Sequence, residues 1–452
     1  MTTSNGESSR GQRAWLIAIF VIATLLRLRL NNVDAFSPAD ESVYVDLSQR
    51  FAAHGFLATY GDVAREWVAN PSWWRYPNPL RCGYLALTTA AVQLYGRADA
   101  RALAWLSTLA GILAVPLLYE IARRLAGMRA ALLAASFAAV SPIELAMGRR
   151  ALQDEVLCLA ALLAFAAILG VLEDASKPVL RTLAAIAALT FAISIKETFL
   201  LLFPALALFV VFYVRPARPS IRHVAMVAIP PLLWWLLLAA LTRDLTMPAR
   251  IARLVANAMS ATYVVQYQSG PPHRLLFDFF LTAPLVSVLA AAAIVGSFLG
   301  LTRDRRMHAL AIFLLAGFAS YSLLASKNLR FIVLLDPFVC VLAASIVALP
   351  RRDAEVRMTT VAAAAAANAA IALELFRAIF ITGAVYDPVT QPMLAALGAV
   401  PRSATSAPPA MLWPWICAAI AAMLWLSRHI DVRSLAEPLH RVLHRRAFSS
   451  HH

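Results

Sequence analysis

An all-α, polytopic membrane bundle of about twelve (11–13) spanning helices is the fold class this sequence predicts, and three observations predict it. The 452 residues are 61% hydrophobic and only 14% charged, with a mean hydropathy of +0.70, more apolar surface than a soluble fold can hide. The apolar residues come in blocks of about 17 to 23 rather than in amphipathic stripes. The connectors between blocks then alternate between short basic turns and longer, more mixed segments. Together these exclude a soluble globular domain. A disulfide framework is not expected either, because Cys158, Cys340 and Cys417 fall inside apolar runs and Cys82 has no evident partner.

Residues 1–13 are polar and form a cytoplasmic N-terminal tail, and 14–30 is the first span. Its end reads Arg27-Leu28-Arg29-Leu30-Asn31-Asn32 rather than a small-residue cleavage site, so the helix is expected to be retained. Residues 31–101 make the first outer loop, with the Asp40–His54 and Cys82–Tyr95 stretches read as amphipathic or surface helices lying in the interface. Counting the second as a span would move the Arg123 cluster to the outside. The remaining spans are placed at 102–122, 130–147, 155–172, 181–195, 198–214, 223–241, 279–300, 308–325, 331–349, 358–380 and 410–427. The 181–195 and 198–214 runs are kept separate by the charged Lys196-Glu197 between them. The transmembrane domain is thus 14–427, and 428–452 is a basic cytoplasmic tail at the inner leaflet. No solenoid-type repeat is visible.

Charge sets the orientation. Arg123, Arg124 and Arg129, Lys177 and Arg181, Arg215, Arg218 and Arg222, Arg303, Arg305 and Arg306, and Arg351, Arg352 and Arg357 occupy one set of connectors. The positive-inside rule puts these and both termini in the cytoplasm. The first loop, 242–278 and 381–409 then face outward. That outer side is also rich in cations, where the rule expects depletion. Snorkelling side chains near lipid head groups are the plain account. A surface that holds an anionic, phosphate-bearing substrate is the sharper one, favoured because the cations cluster beside carboxylates.

Four outer elements carry polar residues beyond what packing requires. Asp40-Glu41 with Tyr44 comes first: neighbouring residues do not share a helix face, so one carboxylate can enter a cavity while the other supports it. The plain alternative is an ordinary helix start at Ser37-Pro38-Ala39-Asp40-Glu41. Next is Arg149-Arg150-Ala151-Leu152-Gln153-Asp154-Glu155, open to reading as a self-satisfied ion cluster. Lys196-Glu197 is third, an exposed snorkelling pair on the plain reading. The fourth, Ser326-Lys327-Asn328-Leu329-Arg330-Phe331, leads to Asp336-Pro337 inside an apolar run, where an acid is costly unless paired.

The order of these pieces resembles that of the membrane glycosyltransferases of the C superfamily, particularly bacterial relatives of the protein O-mannosyltransferases and lipid A aminoarabinose transferases. An outer-loop Asp-Glu-x-x-Tyr is matched by Asp40, Glu41 and Tyr44, and a Pro-Pro-Leu-like segment by Pro77-Asn78-Pro79-Leu80. The cytoplasmic Arg-Arg-Leu-x-Gly turn is matched by Arg123–Gly127, after Arg101. Ser141-Pro142 precedes an Arg-x-Leu-x-Asp match at Arg150-Ala151-Leu152-Gln153-Asp154. Lys196, Arg330-Phe331 and Pro337 complete the series, which covers residues 27–345. The chain departs from the pattern at Asn78, where Lys or His is common, and in lacking the second proline, which leaves Arg81 as a substitute cation. The C-terminal extramembrane domain of the aminoarabinose transferases is also not evident in this shorter chain.

The resemblance implies transfer of a sugar from a polyprenyl-phosphate donor to an acceptor hydroxyl of a lipid, glycan or protein, on the outer face of a bacterial inner membrane. Asp40 would be the general base, with Glu41 orienting it and Asp154 positioning the acceptor. Arg150, Lys196, Lys327, Arg330 and Arg81 would hold the donor phosphate and Tyr44 would position substrate. Relatives differ in needing a metal, so a divalent cation shared by Asp40 and Asp154 stays open. Inversion is the stereochemical outcome expected. The 242–278 loop, with Tyr263, Tyr267 and His273, is read as a gate. The alternatives carried are a flippase or transporter of a lipid-linked substrate, and a polymerase or ligase of surface polysaccharide. Besides the substrates and membrane lipids no partner is implied, and nucleic acid is not expected.

Overall fold

The structure is a computed structural model that describes residues 4–30, 38–174, 176–258, 270–300, 304–349, 358–382, 418, 419 and 422. Among the described residues every regular element is helical. Ala- and Leu-rich runs favour this geometry, and in hydrocarbon a helix satisfies each backbone group within its own segment. The helices are α1 (Ser4–Leu30), α2 (Pro38–His54), α3 (Phe56–Ala69), α4 (Cys82–Tyr95), α5 (Ala100–Ala126), α6 (Met128–Ala139), α7 (Pro142–Met147), α8 (Asp154–Glu173) and α9 (Pro178–Ile195). They continue with α10 (Phe203–Val214), α11 (Ile221–Thr242), α12 (Met247–Ala258), α13 (Arg274–Thr282), α14 (Pro284–Phe298), α15 (Arg305–Ser322), α16 (Asp336–Val347) and α17 (Met358–Phe376).

Among the described residues, seven helices are long and apolar enough to cross a membrane, and three apolar helices are shorter. Several expected spans are not single helices. The 130–147 run breaks into α6 and α7, because Ser141-Pro142 cannot continue α6 and instead starts α7, with the Ser141 hydroxyl accepting from Glu144 N. Pro284 divides the 279–300 run into α13 and α14 in the same way. The 331–349 run opens as two 3₁₀ turns before Pro337 takes the first turn of α16. The 410–427 run lies almost wholly outside the described residues, as do 383–409.

The bundle has a centre and a rim. In the apolar window of α8, 67% of residues are buried, against 28% in α11, so α8 is the central post and α11 faces outward. Around α8 pack α5 and α9; α6 packs on α5, α14 on α16 and α10 on α15. Phe165 of α8 joins Phe209, Phe313 and Phe338 in an aromatic knot at the middle, with ring centroids 4.7, 5.6 and 4.7 Å from it. At one end the basic turns meet: Arg124 pairs with Glu173 at 2.7 Å, Arg306 donates to Arg124 O at 2.6 Å, and Arg305 to Arg215 O at 2.9 Å. At the other end the start of α8, the end of α9 and the turn before α16 converge on α2.

Candidate active site

Arg330 is the hub at that second end. Its 3₁₀ turn, Leu329–Phe331, is started by Asn328, whose side chain accepts from Arg330 N at 3.0 Å. The guanidinium donates from Nε to Asp154 Oδ2 and from Nη1 to Asp40 Oδ2, each at 2.9 Å. Asp154 takes a second cation on its other oxygen, from Lys196 Nζ at 2.6 Å. Lys196 in turn sits 4.9 Å from the centroid of the Phe331 ring. Three residues separated by up to 176 positions are thus one charge-paired unit.

The adjacent acids divide as the i, i+1 geometry demands. Glu41 turns inward and pairs with Arg150 Nε, its side chain 3% exposed. Asp40 turns outward, its side chain 61% exposed, toward a pocket of roughly 230 Å³. Arg81 and Tyr44 line the same pocket. Arg81 grips Glu197 with Nε and Nη2 at 2.9 and 3.0 Å, donates to the Tyr44 hydroxyl at 2.7 Å, and Asn78 Nδ2 donates to Glu197 at 3.1 Å. Lys196-Glu197 is therefore not a snorkelling pair: Lys196 is committed to a buried ion pair with Asp154 and Glu197 to a partly buried one with Arg81. Arg150 and Asp154 likewise reach across to α2, α9 and the turn before α16 rather than to one another.

Burial sets the titration of these groups. It pulls Lys196 below the ordinary lysine value, with the Asp154 carboxylate opposing that pull. It pushes the Tyr44 phenol up against the influence of Arg81, so the phenol stays neutral. For Arg81 burial works against the charge, but the Glu197 carboxylate wins and raises its pKa. Lys327 is also lowered by burial, with Arg274 adding to the effect.

Not every expected residue reaches this cluster. Lys327 donates to Leu324 O and is not part of the pocket wall. Tyr263 and Tyr267 lie outside the described residues, and His273 stacks edge-on to Phe277 at 5.5 Å. The aromatic wall of the pocket, formed by Trp67, Trp74 and Tyr76, went unread in the sequence, although the density of aromatics over 67–76 was its signal. Asp336 is fully buried, as are Glu144 and Glu155, and Arg27 of α1 is the cation that reaches them, pairing with Glu144 at 3.0 Å. Neither carboxylate oxygen of Glu155 or of Asp336 has a well-formed hydrogen bond there. A metal shared by Asp40 and Asp154 does not fit this arrangement. The guanidinium already lies between the two acids, and both Asp154 oxygens are committed to cations. Among the described residues no group of three or more His, Cys, Asp or Glu could hold a metal ion.

Comparison with known proteins places this architecture. Residues 82–235 match the dolichyl-phosphate-mannose-protein mannosyltransferase family. No curated protein sequence matches the chain. ArnT from Cupriavidus metallidurans, solved bound to undecaprenyl phosphate, is similar over 95% of this chain and 77% of its own, with 16% identity and a TM-score of 0.51. Its apo form gives 17% identity and a TM-score of 0.52, covering 95% of this chain and 78% of that one. The apo oligosaccharyltransferase of Archaeoglobus fulgidus covers 90% of this chain at 15% identity and TM-score 0.51, the match spanning 56% of its length. In fold over nearly its whole length, and in sequence over residues 82–235, the chain resembles the membrane glycosyltransferases of the C superfamily.

Proposed function

We propose that this chain is a membrane glycosyltransferase that moves a sugar from a polyprenyl-phosphate donor to an acceptor hydroxyl at the outer face, with Asp40 as general base. The observation that carries the reading is the pairing of one exposed carboxylate with a partly buried cationic hub. Asp40 opens into the pocket while Arg330, which it touches, is held by Asp154 beside Lys196. The acceptor oxygen forms a bond to the anomeric carbon as its proton passes to the Asp40 carboxylate. The bond from that carbon to the phosphate oxygen breaks, and its electron pair leaves on the phosphate. Arg330 and Lys196 are fixed before that charge develops, so little reorganisation is spent at the moment of reaction. Glu41, locked to Arg150, fixes the start of α2 and so orients its neighbour.

Inversion belongs to the same reading: with Asp40 acting as base and not as nucleophile, the acceptor oxygen attacks the face of the anomeric carbon opposite the departing phosphate in a single displacement. The match to a mannosyltransferase family, and a neighbour solved with undecaprenyl phosphate, support a lipid-phosphate donor. The test is transfer by the purified chain in detergent from a polyprenyl-phosphate sugar. Asp40→Asn should lower the rate by about 10²–10⁴-fold, while undiminished transfer would remove Asp40 from the role.

A further inference from the structure

The aromatic wall of the pocket that Asp40 and Arg330 also line bears on the acceptor of the proposed transfer. Trp67, Trp74 and Tyr76 supply that wall, with Arg75, Asn78 and Arg81 around it. Trp67 is almost wholly buried and backs Trp74, which is 41% exposed, their ring centroids 6.3 Å apart. The polar atoms of all three rings are already used inside the fold. Trp74 Nε1 donates to Trp67 O at 3.1 Å, Trp67 Nε1 to Tyr76 O at 3.2 Å, and the Tyr76 hydroxyl to Asp46 at 2.7 Å.

That detail separates two uses of interfacial aromatics. A tryptophan belonging to a membrane-anchoring belt sits with its polar tip toward the head groups and its ring toward the chains. Here the tips are tied to the fold, so what the pocket receives is ring surface, in a lining that also holds a carboxylate and guanidinium groups. A pyranose has the matching surfaces. One face carries C–H groups of partial positive charge that lie on the negative face of an indole, and the rim carries hydroxyls for carboxylate and cation. The volume agrees: roughly 230 Å³ is below the ~300–1,000 Å³ of pockets for drug-sized ligands and suits one ring.

From this we infer that the acceptor is a carbohydrate, whose ring rests on Trp74 while one of its hydroxyls meets Asp40. The inference rests on the transferase reading above, and its test does not require turnover. The full chain in detergent is mixed with methyl α-mannopyranoside and a panel of other methyl glycosides. Saturation-transfer NMR then reads contact with the ring C–H protons, and titration gives affinity. Binding is expected, with Trp74→Ala weakening it about five-fold (about 1 kcal/mol) and Trp74→Phe retaining most of it. Absence of saturation transfer to any glycoside, or equal affinity in wild type and Trp74→Ala, would overturn the inference. Thermal unfolding of Trp74→Ala checks that the variant folds, and Trp74→Phe carries the comparison where it does not.

Two further outcomes separate the ring's source from the reaction itself. If the ring site is the donor's, added polyprenyl-phosphate mannose displaces the glycoside, and the acceptor assignment fails. If it is the acceptor's, donor and glycoside bind together. Failure of the transferase reading shows elsewhere, as unchanged transfer by Asp40→Asn, and leaves the binding result standing by itself.

Discussion

Asp40 and Glu41 are one peptide bond apart and differ in every physical respect that chemistry uses. Asp40 is solvated and touches one cation, and Glu41 is sealed against Arg150. A buried pair of that kind is costly to break, because the surviving charge is stranded. Glu41→Gln should therefore cost about 3–5 kcal/mol in unfolding, and Glu41→Gln with Arg150→Gln should cost less than the single change. Thermal unfolding in detergent measures both, and equal losses would mean that the pair is not what holds α2. Lys196 gives a pH test. Its folded pKa lies below the ordinary ~10.4 of lysine, so its charge opposes folding at neutral pH, and that cost fades as pH rises through the folded value. On the proposed mechanism, the support that Lys196 gives the phosphate fades over the same interval. The rate should thus fall on an alkaline limb that begins below pH ~10.4, and Lys196→Arg, charged throughout, should lack that limb. A shared limb in the pH–rate profiles would assign the titration to another group.

At the scale of elements, the site depends on how closely short helices approach the spans. Gly83 begins α4 against the end of α9, where a Cβ would lie 2.1 Å from Ser194 Oγ and 3.2 Å from the Ser194 carbonyl carbon. No side chain fits there without separating the two helices. Since α9 ends at Ile195, directly before Lys196 and Glu197, a shift would also move both ion pairs. Gly83→Ala is expected to cost about 1–3 kcal/mol and to lower transfer as well, with Ser194→Gly restoring part of both. Loss of stability with unchanged transfer would show that the contact serves packing alone. A second tight approach occurs at Gly111 of α5, where a Cβ would meet Glu155 Oε1 at 2.6 Å and Arg27 Nε at 2.7 Å. Small residues at these crossings admit polar side chains between spans, which lipid alone would not stabilise.

For the whole molecule, charge and topology agree. The described basic turns gather at one end through Arg124, Arg305 and Arg306, and the acid–cation cluster sits at the other. If the positive-inside rule sets the orientation, a cysteine placed at the exposed Ser72 is labelled by an impermeant thiol reagent from outside, and one at the exposed Arg218 only from the cytoplasm. The reverse pattern would invert the proposed membrane sidedness. Cys82, Cys158 and Cys340 are buried, so they add little background. The sequence alone determined that the chain is an all-helical membrane protein. It did so because apolar blocks of spanning length have few other solutions. It also marked Asp40, Asp154, Lys196 and Arg330 as residues to watch, since ionisable groups beside apolar runs need a reason. Where one helix stops and the next begins was only partly legible: Ser141-Pro142 and Pro284 break runs whose hydropathy is continuous. Tertiary structure alone decided the partners. Arg330 joins Asp40 across 290 positions, Arg27 of the first helix reaches Glu144, and Trp67 and Trp74 become one wall of a pocket. Pattern along a chain reports which face is apolar, whereas the closing of ion pairs and pockets depends on packing between segments that share no local signal.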